Sequence, residues 1–69
     1  MDEIAIFARN VATTRARLHL SQSQVSARSG IHVTEVSRIE RGLRDPRLST
    51  LVRLARGLGV DLAQLFEGI

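Results

Sequence analysis

Between Ser21 and Gly42 the chain reads SQSQVSARSGIHVTEVSRIERG, two short helical patterns hinged on one glycine, and so few residues leave room for nothing else. Ser21 precedes the first pattern and Gln24 stands three residues later, a pairing in which each side chain satisfies an unpaired backbone N–H. A helix is therefore expected to start near Gln22. Gly30 follows Val25 and Ser29, where a chain leaving a helix adopts the positive φ that only glycine reaches cheaply. A second helix is expected from about Val33. At 100° per residue Val36 and Ile39 share one of its faces, while Val33, Thr34, Ser37, Arg38 and Arg41 spread over roughly 140° of the other. The first face is suited to packing. The second is left free.

On either side the periodicity stays helical. Ile4, Phe7, Ala8, Val11, Arg15 and Leu18 recur at spacings of three and four, which predicts a first helix over about 3–18, with Asp2 and Glu3 suited to its N-terminus. The segment Gly42-Leu43-Arg44-Asp45-Pro46 is a loop, because proline stops the preceding helix from continuing. Leu48, Leu51, Leu54, Ala55 and Leu58 form the stripe of a fourth helix that Gly57 or Gly59 can end. Asp61 and Gln64 repeat the capping-box spacing ahead of Leu62–Phe66, a short fifth helix. Val25, Ile31, Val36 and Ile39 are core positions, and Ser26 is small enough to let the two central helices approach. With 69 residues the chain makes one domain, 1–69, that buries only about 60% of its unfolded surface. The fold class is all-α, a compact five-helix bundle.

The ten basic residues are all arginine and outnumber seven acids, for a net charge of +3. That excess is consistent with a polyanionic partner. Its distribution is sharper: Asp2, Glu3, Asp61 and Glu67 lie toward the ends, whereas Arg38, Arg41, Arg44 and Arg47 cluster at and after the second central helix. Cysteine is absent, which removes disulfides and the usual structural zinc sites. The apolar stretches are far shorter than the roughly 18 residues of a membrane span, and an acidic Asp2-Glu3 start is unlike a secretory signal. With only His19 and His32 as histidines, no glycine-rich phosphate loop and no metal-ligand spacing, the chain is not expected to be an enzyme or to hold a metal, a cofactor or a small-molecule ligand.

Taken in order, Leu20-Ser21-Gln22, the turn Gly30-Ile31, the run Val36-Ser37-Arg38-Ile39-Glu40-Arg41-Gly42, Pro46 and Leu58-Gly59-Val60 resemble the phage-repressor and Cro-like helix-turn-helix proteins, the XRE family. The resemblance covers nearly the whole chain. It implies the lambda-repressor-like version of the bundle, in a cytoplasmic protein of bacterial or phage origin that binds double-stranded DNA. By the same resemblance Val33, Thr34 and Arg38 match base-reading positions, with Ser37 on the same face. Arginine offers guanine two hydrogen bonds, and Val33 or the Thr34 methyl can touch a thymine methyl. Gln22 matches a phosphate-contacting position, and Arg15 with Glu40 matches an ion pair tying the first helix to the reading helix. Arg41, Arg44 and Arg47 are candidates for further phosphate contacts. Glu35, at the edge of the reading face, repels phosphate or accepts from cytosine N4.

Three positions depart from the family pattern. His19 stands where glycine is common, so the first helix must end through a less favourable residue or run on. Arg47 replaces a capping serine. His32 replaces a serine or threonine N-cap, at a cost of ~1 kcal/mol in helix initiation, and an imidazole meeting a phosphate there would make affinity rise as histidine gains its proton.

The resemblance further implies a homodimer on an inverted repeat, with a repressor or autoregulatory role. Gln64, Leu65, Phe66 and Ile69 are candidates for its seam, since the last helix carries more apolar surface than a small core absorbs; Leu65 and Phe66 as intramolecular core is the alternative. Restriction-modification controllers, antitoxins and phage Cro-like switches all stay open as subtypes, the controller fitting the length best. The competing class is a protein-interaction module that uses the same bundle without DNA.

Overall fold

The computed structural model describes residues 2–69. In chain order it consists of α1 (Glu3–Arg17), α2 (Gln22–Ser29), α3 (Val33–Glu40), α4 (Leu48–Leu58) and a 3-10 helix (Leu62–Phe66). Among the described residues there is no strand, and no helix is long and apolar enough to cross a membrane.

Side-chain caps start the first three helices. The Asp2 carboxylate accepts from the N–H of Ile4 at 3.0 Å, and Ser21 and Gln24 exchange their two bonds at 3.0 and 2.8 Å. The ends share one device. After α1, α3 and α4 the chain turns through a left-handed residue, and the next N–H reaches back to a carbonyl five residues earlier: Leu20 to Arg15, Leu43 to Arg38, Val60 to Ala55. Gly42 and Gly59 fill that position after α3 and α4, but after α1 it falls to His19, at φ 57°. The helix thus stops at the expected place without the residue that would make stopping easy. Leu18, expected on the apolar stripe, lies beyond the last helical turn and is exposed.

Phe7, Val11, Val25, Ile31, Val36, Ile39, Leu54, Ala55, Leu58 and Leu65 form one buried cluster to which every element contributes. α2 and α4 cross at closest range where Ser29 meets Gly57. A Cβ added at Gly57 would lie 2.7 Å from that of Ser29. That small-residue contact joins α2 to α4, while Ser26, between α2 and α3, donates its hydroxyl to the Ile31 carbonyl in the turn between them. Gly57 sits inside α4, and Gly59 ends it. Leu48 opens that helix mostly in solvent, 71% exposed, although it is in register with the apolar stripe, because the first turn projects past the core. Ile6, one position off the α1 stripe, is buried.

The fifth element is not the α-helix expected. Its first bond runs from the Gln64 N–H to the Asp61 carbonyl at 3.0 Å, the tighter i to i+3 ring, and five residues give little room for the wider one. Gln64 Oε1 accepts from the Asp61 N–H at 2.9 Å. At the other end the Asn10 amide donates to the carbonyls of Leu65 and Glu67 at 2.9 and 2.8 Å, tying the segment to α1.

Candidate nucleic-acid interface

Positioning of α3 begins with a carboxylate. Glu40, in the last turn of α3, is almost wholly withdrawn from solvent, its side chain 6% exposed. Its two oxygens accept from Arg15 Nε at 2.6 Å and from Arg15 NH2 at 2.9 Å, and Oε1 accepts again from Gln22 Nε2 at 3.1 Å. Arg15 Nη1 donates in turn to the Leu20 carbonyl at 2.9 Å. Hydrogen bonding to Glu40 raises the Arg15 guanidinium above its ordinary pKa, against the desolvation that lowers it. One acid on α3 thereby meets α1, α2 and the turn between them. Gln22 is drawn into this arrangement: one of its two amide N–H groups donates inward to Glu40.

With its inner face fixed by Val36 and Ile39, both fully buried, α3 turns Val33, Thr34 and Ser37 outward. Val33 is 37% exposed. Its methyl groups stand on the open face of the helix, where an apolar side chain gains nothing from water. His32 precedes it as N-cap. Nδ1 of the imidazole accepts from the Thr34 N–H at 3.2 Å, so the missing hydroxyl is replaced rather than lost. A nitrogen that accepts carries no proton, which leaves Nε2 as the exposed ring's donor.

The arginines divide into two groups. Arg44 Nε donates to both oxygens of Glu35 at 3.2 and 3.1 Å, and Arg38 NH1 lies 3.8 Å from the same carboxylate. Arg41 folds back toward the Ser37 carbonyl at 3.4 Å, and Arg47, the N-cap of α4, makes no side-chain cap bond and is exposed. Arg47 leaves the first N–H groups of α4 without a side-chain acceptor, beside Ser49, Thr50 and Arg53 in a shallow polar groove that Glu35 and Arg44 also line. Arg53 is a basic residue on this side that the sequence pattern did not single out, and its only signal was a polar position one helical turn past Ser49.

On another part of the surface, Ile4, Phe7, Pro46, Leu51, Phe66 and Ile69 line an apolar groove rimmed by Glu3 and Asp45. The Phe66 ring tilts against Phe7 with centroids 5.8 Å apart, yet Phe66 is still 40% exposed and Ile69 59%. Leu65, expected with them at a seam, is wholly inside the core. The short ring of the 3-10 helix aims it inward between α1 and α4. Gln64 is exposed beside them with its amide oxygen committed to the backbone of Asp61.

Comparison with known proteins extends over most of the chain. Residues 11–65 match the helix-turn-helix family model HTH_3. An HTH-type transcriptional regulator of Sinorhizobium fredii, y4dJ, is 40% identical over 65 residues, which span 94% of this chain and 84% of that protein. The control protein C.SmaI of Serratia marcescens is likewise 40% identical over 65 residues, 94% of this chain and 77% of its own. The crystal structure of the restriction-modification controller protein C.AhdI from Aeromonas hydrophila superposes with a TM-score of 0.88 at 28% identity, covering 91% of this chain and 96% of that one. On the match over residues 11–65, and on two regulators that align with nearly its full length, the chain belongs to the HTH_3 family of helix-turn-helix proteins.

Proposed function

We propose that this chain is a cytoplasmic, sequence-specific DNA-binding transcriptional regulator, a repressor or autoregulator, that inserts α3 into the major groove as one half of a homodimer. The observation that carries it is the outward face of α3: Val33 and Thr34 open to solvent with the half-buried Ser37 and Arg38 beside them, on a helix whose other face is locked into the core. Val33 and Thr34 offer methyl groups to thymine, and Arg38 offers its fork to guanine O6 and N7. Arg41, Arg44 and Arg47 flank that face as phosphate contacts, joined by the Nε2–H of His32. Gln22 serves the interface by holding Glu40, and with it the tilt of α3.

The resemblance to a control protein and to a restriction-modification controller structure supports the controller subtype. The dimer seam rests on Phe66 and Ile69 with the groove beside them and no longer on Leu65, while Gln64 lines a separate depression with Asn10 and Thr13. Two-fold symmetry there sets the reading helices about 34–36 Å apart on a pseudo-palindromic site. Selection from a random duplex pool, followed by anisotropy titration of the winning sequence at several salt concentrations, tests the whole reading. The expected result is a pseudo-palindrome bound with an affinity that falls steeply as salt rises. Binding indifferent to salt and to sequence, or a monomer by sedimentation at high micromolar concentration with and without DNA, would overturn it.

A further inference from the structure

Glu35 is the one acid on the DNA-facing side of α3, and it is not idle. It stands in the first turn of the helix, with Arg38 one turn later and Arg44 brought back to it from the loop before α4. Both oxygens of its carboxylate face Arg44 Nε, and the nearer contact to Arg38 is 3.8 Å. All three side chains are partly open to solvent, Glu35 34% exposed and each arginine 43%. The carboxylate therefore offers Arg44 an anionic oxygen pair of the kind a phosphate would offer, supplied by the protein itself.

We infer that Glu35 is a specificity-determining latch: an internal stand-in for phosphate that holds Arg44 and Arg38 in check until the correct base sequence draws them away. The inference rests on the proposed reading of α3 as the DNA-binding helix. Its physical basis is the difference between counting phosphates and reading bases. Binding without sequence preference is set almost wholly by how many phosphates the arginines neutralise. A carboxylate already satisfying Arg44 cancels about one such contact on every sequence, and it repels the neighbouring phosphate as well. On the preferred site Arg38 bonds to guanine instead of to a phosphate, so there the carboxylate withholds no phosphate contact from it. Glu35 thus lowers affinity for all DNA but lowers it most where there is nothing to read.

Replacing Glu35→Gln keeps shape and removes the charge. With a scrambled duplex of equal length and composition as probe, the variant is expected to bind about threefold to tenfold more tightly than wild type, with a salt slope steeper by ~0.9, the value for one added phosphate contact. Affinity for a duplex selected from a random pool should change by less than about twofold, so the ratio of the two affinities falls. If Glu35 acts through Arg44, the gain shrinks to under about twofold when E35Q is made in an R44A background. An equal rise on both duplexes, or an undiminished gain without Arg44, would overturn the latch and leave simple charge repulsion in its place. Wild-type protein that binds neither duplex at low salt overturns the DNA-binding reading and the latch together. Wild type that binds both, with a ratio that E35Q leaves untouched, overturns the latch alone.

Discussion

Two carboxylates on α3 each hold arginine, and they do opposite things. Glu40 is withdrawn from water and receives three hydrogen bonds from Arg15 and Gln22, whereas Glu35, five residues earlier, stays a third exposed and shares itself between Arg38 and Arg44 at longer range. In the first case neither charge can exchange its partner for water without leaving an uncompensated ion in the core, so the pair fixes geometry. In the second, water and salt compete on equal terms, so the pair adds little stability and can be given up to a ligand. The same chemistry yields an anchor at one end of the helix and a trigger near the other, and burial alone separates them.

The largest effect expected is at the anchor. Glu40→Ala strands Arg15 and frees Gln22, and should lower unfolding stability by about 3 kcal/mol, read by urea titration. Replacing Arg15 and Glu40 together by methionine removes both charges and should return stability to within about 1 kcal/mol of wild type; equal losses in the single and double variants would deny that the cost lies in a stranded charge. Arg38→Ala tests the other end. It should cost about 1–3 kcal/mol on the selected duplex and relax base choice at one position per half-site, measured against duplexes substituted position by position. Uniform weakening with preference intact would make Arg38 a backbone clamp. A smaller gain is expected at the turn that presents Leu20 to Arg15: His19→Gly relieves the left-handed backbone and should raise stability by ~1 kcal/mol in a thermal melt. Smallest of all, Glu35→Gln should shift stability by no more than about 0.5 kcal/mol, since its pairs are exposed. A loss approaching that of Glu40→Ala would erase the contrast.

What the sequence revealed follows distance along the chain. The Ser21 and Gln24 cap, the turn at Gly30 and the two faces of α3 are set by neighbours within one or two helical turns, so periodicity alone locates them. The pairing of Gln22 with Glu40 spans 18 residues, Arg44 with Glu35 spans nine, and Asn10 with the last carbonyls spans 55 and 57. No local pattern encodes such meetings, so neither the tie from Gln22 to Glu40 nor the inward seat of Leu65 could be read from it. Arg15 and Glu40 were within reach only through family resemblance. Leu18 and Leu48 failed differently: periodicity gives a residue's angle around a helix, not whether the core extends as far as that turn. Asn10 did leave a trace, as a polar residue between Phe7 and Val11 on the buried side of α1.

Asn10 also bears on what kind of operator this protein tolerates. Both of its amide hydrogens are spent on the carbonyls of Leu65 and Glu67, so the segment carrying Phe66 moves with α1 as one body. A dimer seamed through that segment has no hinge between its contact surface and its reading helices. The separation of the half-sites is then ruled by a stiff frame, and one inserted base pair, about 3.4 Å of rise with its share of a turn, would put the second helix out of register with its groove instead of being absorbed by a supple tail.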